Sequence, residues 1–252
     1  MTSAAPSSAP SAALAAAVRR VETVFGGMTA PAEGCLRCFT DDELALLAVP
    51  RAPLGDQLLR ELFHEGQDHF PDHDGVIRRI LPEFVGYVTS ARFSGMGYLP
   101  GGLGRTDWRT WPSEQAAAIE GFLDAWWRAT LADPAPADGL KAVWDLCLDS
   151  RGALTPLLDV WAATPGGGTE DRHLADFVES WIFMLLRDDG ASLLGRDDES
   201  LLTELQAWLA EHAVDRLAGH PDPLLARKTA LLAVEHGERW VACLEMDPSA
   251  GG

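Results

Sequence analysis

Leu14, Val18, Val21 and Phe25 recur at intervals of four, three and four, the spacing that places side chains on one helix face; Gly26 and Gly27 then end the run. The same logic predicts a short helix near 41–48, because Thr40, Asp41, Asp42 and Glu43 stand in capping-box order. Pro50 and Pro53 interrupt it, and Leu54, Leu58, Leu59, Leu62 and Phe63 form another apolar face ending near residue 65. Ile77, Ile80, Leu81, Phe84, Val85 and Val88 predict a helix over 74–92, with Pro82 as a kink or a fresh start. Residues 95–104 read as a loop. Pro112, suited to a first turn, opens a helix carrying Ile119, Phe122, Leu123, Trp126, Trp127 and Leu131.

In the second half, 133–138 is a Pro/Ala connector and 140–148 a short helix. Thr155 and Pro156 read as the cap and first residue of a helix reaching Trp161. After Gly166, Gly167 and Gly168, amphipathic helices are expected over 174–186, 201–217 and 224–234, with Gly190, Gly195, Gly219 and Gly237 near their ends. About one tryptophan falls in each helix here, at Trp126 and Trp127, Trp144, Trp161, Trp181, Trp208 and Trp240, which makes each apolar stripe wide. No run alternates β-branched and polar residues between tight turns. The fold class expected is therefore all-α, an irregular bundle or array of roughly ten helices with no repeat of fixed period. The expected organisation is a tail over 1–13, one helical domain over 14–244 with packed subdomains at 14–131 and 139–244, and a second tail over 245–252.

Composition narrows the classes. Hydrophobic residues are 47% of 252, enough for a large core, and no apolar run approaches the roughly 18 residues of a membrane crossing. With Arg19 and Arg20 following a weakly apolar stretch, no secretory signal is read, and the expected compartment is the cytoplasm. Twenty basic against 38 acidic residues give a formal charge of −18, which disfavours nucleic acid and favours a basic partner.

Candidate chemistry starts with the cysteines. Cys147 and Cys243 sit on apolar faces near Trp144 and Trp240, as small hydrophobes do. Cys35 and Cys38, in Gly34-Cys35-Leu36-Arg37-Cys38, are two thiols that can both turn toward a tetrahedral Zn²⁺, act in disulfide exchange, or lie in an ordinary turn. Further ligands are available in the run His64-Glu65-Gly66-Gln67-Asp68-His69-Phe70-Pro71-Asp72-His73-Asp74, and the candidate zinc set is Cys35, Cys38, His69 and His73. The bland alternative is a polar connection between helices. His64 and Glu65 lack the histidine four places on that a zincin helix needs, and the glycine-rich 101–106 segment lacks a phosphate-reaching lysine. His173, His212, His220 and His236 read as helix-end or helix-face residues, and no residue is assigned to catalysis.

Four segments in order, Cys35-Leu36-Arg37-Cys38-Phe39-Thr40, Arg78-Arg79-Ile80-Leu81-Pro82-Glu83, Asp107-Trp108-Arg109-Thr110-Trp111-Pro112 and Phe122-Leu123-Asp124-Ala125-Trp126-Trp127, resemble an uncharacterised group of bacterial all-helical proteins. The resemblance covers about residues 35–131, with Arg79 where that pattern often has a histidine. It implies an all-helical fold with the cysteine pair as part of the pattern, and carries no activity. The functional expectation is a helical protein-interaction module, an adaptor or immunity-type binding protein with a structural zinc at the cysteine pair. The alternative is a small-molecule or metal-dependent enzyme with its pocket near the same segment, where Asp72, His73 or Asp74 would bind metal or move protons.

Overall fold

A computed structural model describes residues 11–90, 101–136, 139–194 and 198–247. Residues 1–10 and 248–252 of the expected tails, the end of the expected 74–92 helix at 91–92, residues 95–100 of the expected loop, connector residues 137–138 and Gly195 lie outside these. The described residues are helical with no strand, and the chain divides into two compact units, 1–152 and 153–252. No helix among them is long and apolar enough to cross a membrane.

The first unit contains α1 (Ala12–Phe25), α2 (Asp41–Ala45), α3 (Asp56–His64), α4 (His73–Val88), α5 (Ser113–Ala132) and α6 (Leu140–Arg151), with 3-10 turns at Leu46–Ala48, Gln67–His69, Gly102–Arg105 and Trp108–Thr110. α1 starts before the expected boundary because Ser11 caps it, its hydroxyl accepting from Leu14 N at 3.2 Å. Leu14, Val21 and Phe25 are buried, and α1 packs on α4 and α5. α4 runs through Pro82 without a fresh start. α3 lies on α4, with the Phe63 and Phe84 rings stacked 3.7 Å apart. α6 packs on α5 through Trp127 and Trp144, 5.8 Å apart and edge to face, so it belongs to this unit rather than to the block that follows. The Trp108 indole donates to Ser150 O at 2.9 Å, tying the 108–110 turn to the end of α6.

Buried Arg79 works as a structural tie. Its guanidinium donates to Ala52 O at 2.6 Å and lies 3.4 Å from Glu83, while Glu83 accepts from Leu54 N. The proline-rich connection between α2 and α3 is thereby fastened to α4. The glycines of the 101–106 segment also serve packing. Gly102 has a φ of 52°, and a Cβ there would lie 2.1 Å from the Phe63 ring.

The second unit contains α7 (Thr155–Ala162), α8 (Thr169–Leu186), α9 (Ala191–Leu194), α10 (Glu199–His212), α11 (Pro223–Ala230) and α12 (His236–Met246), with a 3-10 turn at Leu231–Ala233. Trp161 is its anchor, 5.6 Å from Phe177 and 6.0 Å from Trp208. Arg216 ties three elements together by bonding the Asp171 carboxylate, Trp161 O and Thr164 Oγ1. Several boundaries differ from expectation. Leu154 rather than Thr155 occupies the cap of α7, and Thr155 instead donates to Glu204. α8 begins at Thr169, α10 ends at His212, and α12 extends into the segment expected as a tail.

Candidate metal centre

The cysteine pair is built by a turn that the sequence closes from both sides. Cys38 N and Phe39 N both donate to Cys35 O at 3.0 Å, and Thr40 then caps α2 with the full reciprocal box. Phe39 is buried 5.4 Å from the Phe70 ring, which anchors the turn to the connection between α3 and α4. Cys35 N donates to His69 O at 2.9 Å. Gly34 leaves room for this close approach: a Cβ there would meet Leu44 Cδ2 at 2.8 Å and the Phe70 ring at 3.1 Å, and those side chains would have to shift.

On the other side, α3 ends at Glu65, whose N–H bonds Glu61 O, and the 3-10 turn Gln67–His69 follows. The Gln67 amide holds this turn to Arg105 O, and Arg105 in turn donates to His64 O at 2.6 Å. The result is convergence. One ligand atom from each of Cys35, Cys38 and His69 lies within 4.8 Å of the others, with Cys38 Sγ 3.3 Å from His69 Nδ1. These three residues can hold a metal ion, with two thiolates and an imidazole as donors.

Of the four residues expected as ligands, His73 stands apart from this cluster. The four-residue spacing would align His69 and His73 only within one helix. Phe70 (φ −134°, ψ 138°) is extended and Asp72 (φ −133°, ψ 73°) is also non-helical, so the helix does not run from His69 to His73. His73 begins α4 and is buried at 7% exposure, and neither ring nitrogen makes a hydrogen bond of good geometry. The carboxylates suggested for proton transfer are engaged in structure: Asp72 caps α4 by accepting from Gly75 N at 2.8 Å, and Asp74 accepts from the Trp111 indole at 2.8 Å.

Glu65 was not singled out by the sequence pattern, yet its carboxylate lies 3.3 Å from His69 Nδ1. The only signal was its place four residues before His69, common to many solvated helix ends. Asp68 lies on the other side of the ring, 3.9 Å from Nε2.

The two thiols are unequal. The Arg37 backbone N–H aimed at its sulfur holds Cys35 below the usual thiol range, overcoming lost hydration. Cys38 is pushed up to about 11, first by lost hydration and then by the Cys35 sulfur and the Glu65 charge. Cys35 is thus the readier thiolate and Cys38 its proton-bearing neighbour. The helical cysteines differ again: Cys147 and Cys243 are free and fully buried, and burial pushes Cys147 to about 12.

Beside the cluster runs a groove of about 700 Å³ that reaches Cys35 and His69. Its floor includes Leu44 and Phe70, and its lining carries the carboxylates of Glu33, Asp41 and Asp68 but no basic side chain except His69. Leu36, at the tip of the cysteine turn, is 67% exposed. No known family, curated protein or solved structure matches the chain.

Proposed function

We propose that this chain is a helical protein-interaction module of the adaptor or immunity type, in which Zn²⁺ held by Cys35, Cys38 and His69 locks the turn that presents Leu36. The observation that carries this reading is the convergence of three donors on one point within the turn that exposes this leucine. Zinc is the metal of choice because two thiolates with an imidazole form a tetrahedral, borderline-soft set. The metal's role is to bind the 35–38 turn to the end of α3, replacing a hydrophobic contact that the exposed leucine does not make. The adjoining groove, apolar in its floor and acidic at its edge, suits a segment that is basic with an apolar anchor. The overall charge of −18 favours the same kind of partner by long-range attraction.

A second reading, a metal-dependent enzyme, draws support from the way the groove reaches Cys35 and His69. It requires the metal to keep an exchangeable position.

The first reading is tested by metal content. Protein purified without added metal should carry one zinc per chain, and Cys35→Ser or Cys38→Ser should each abolish it. Wild-type protein that is metal-free, takes up no zinc and keeps its fold would overturn the proposal.

A further inference from the structure

Three protein donors leave one corner of a tetrahedron to fill, and the side chains around the cluster are not equivalent candidates. Asp68 lies on the Nε2 side of His69, the outer side of the ring, at 3.9 Å and with its carboxylate almost wholly in solvent. That is the place of a carboxylate that steadies a metal-bound imidazole from behind. Glu65 lies on the Nδ1 side, 3.3 Å from the nitrogen that also faces Cys38 Sγ at 3.3 Å. His73, at the start of α4, also stands outside the cluster, with its ring against the Glu65 backbone.

We infer that Glu65 is the fourth ligand, closing a Cys₂-His-Glu tetrahedron from Cys35, Cys38, His69 Nδ1 and one Glu65 carboxylate oxygen. This rests on the zinc reading given above.

The distances favour it. With zinc–nitrogen and zinc–oxygen bonds of about 2.0 Å and zinc–sulfur bonds of about 2.3 Å, the nitrogen–oxygen edge of a regular tetrahedron is about 3.3 Å and the nitrogen–sulfur edge about 3.5 Å. The observed separations from Nδ1, 3.3 Å to Glu65 Oε2 and 3.3 Å to Cys38 Sγ, are close to those two edges; the Glu65 carboxylate stands outside the group of Cys35, Cys38 and His69 atoms that lie within 4.8 Å of one another, so it must turn inward to complete the tetrahedron. Glu65 is also set by the fold: it is the residue that ends α3, with its N–H bonded to Glu61 O. Its charge also acts on Cys38, which places it beside both donors. Two thiolates and one carboxylate against a divalent ion leave the filled site at a net −1. The closed shell also makes the metal a clamp and leaves no corner for substrate.

Cobalt(II) titration of the full-length protein under reducing conditions tests this. Wild-type protein should develop the intense visible bands of tetrahedral cobalt with sulfur charge transfer, and added azide should leave them unchanged. Glu65→Ala, checked for folding by circular dichroism, should bind cobalt about 10- to 100-fold more weakly. Its spectrum should shift with azide as the anion enters the vacated corner. Bands in Glu65→Ala matching the wild type in position, affinity and azide response would overturn the assignment of Glu65 while leaving the zinc site standing. An azide-sensitive spectrum in the wild type would do the same and needs no variant. Failure of the wild type to bind cobalt or zinc at all would overturn both proposals together.

Discussion

At the scale of single residues, His73 is a buried imidazole whose nitrogens make no hydrogen bond of good geometry, and it makes folding sensitive to acid. Burial holds its protonated form below the ordinary value of 6.5; the Asp74 and Asp72 charges and the Glu65 backbone oppose that shift, and Arg105 assists it. The unfolded chain takes up a proton near pH 6.5 while the folded ring stays neutral to lower pH, so stability is full above that value and falls as pH drops below it. In chelator-treated protein, His73→Leu should flatten the loss of denaturant midpoint between about pH 7 and pH 5; His64, shifted the same way by burial, leaves a remainder. A slope identical to the wild type would remove His73 from the account. Trp144, fully buried against Trp127, should cost about 3 to 5 kcal/mol when cut to alanine, read from the urea midpoint.

Among the elements, α2 is too short to stand on propensity and depends on its cap. Thr40→Ala removes the hydroxyl that accepts from Glu43 N and donates to its carboxylate, and should destabilise the first unit by about 1 kcal/mol, with faster amide exchange at residues 41–45. Less than about 0.3 kcal/mol would mean the phenylalanine pair holds this turn unaided. Spacing alone revealed the α2 cap, the buried faces of α1, α3 and α5, and the placement of Cys147 and Cys243, because each depends on residues within four positions of one another. Other features depend on distant partners and left no periodic trace. Arg79 is held by Ala52, 27 residues away, and Thr155 is drawn from its expected capping role by Glu204. The metal cluster falls between these cases. Cys35, Cys38 and His69 were readable as donor types, whereas His73 was included as a histidine at acceptable ligand spacing and instead begins α4 outside the cluster, and Glu65 gains its position only from the way α3 ends.

For the whole molecule, the candidate centre lies within the first unit, so metal removal should act there alone. Hydrogen exchange followed by mass spectrometry should show protection falling around residues 34–45 and 61–72 on chelation, with peptides from 153–247 unchanged. Uniform loss of protection along the chain would contradict a local clamp. Each unit also encloses one helical cysteine of its own, Cys147 in the first and Cys243 in the second, with no sulfur surface open to water. An alkylating reagent can reach either only when its surroundings open, so two alkylation rates measured in one sample would time the separate opening of the two halves. The molecule therefore holds a chemical stopwatch in each half, with no label to be introduced.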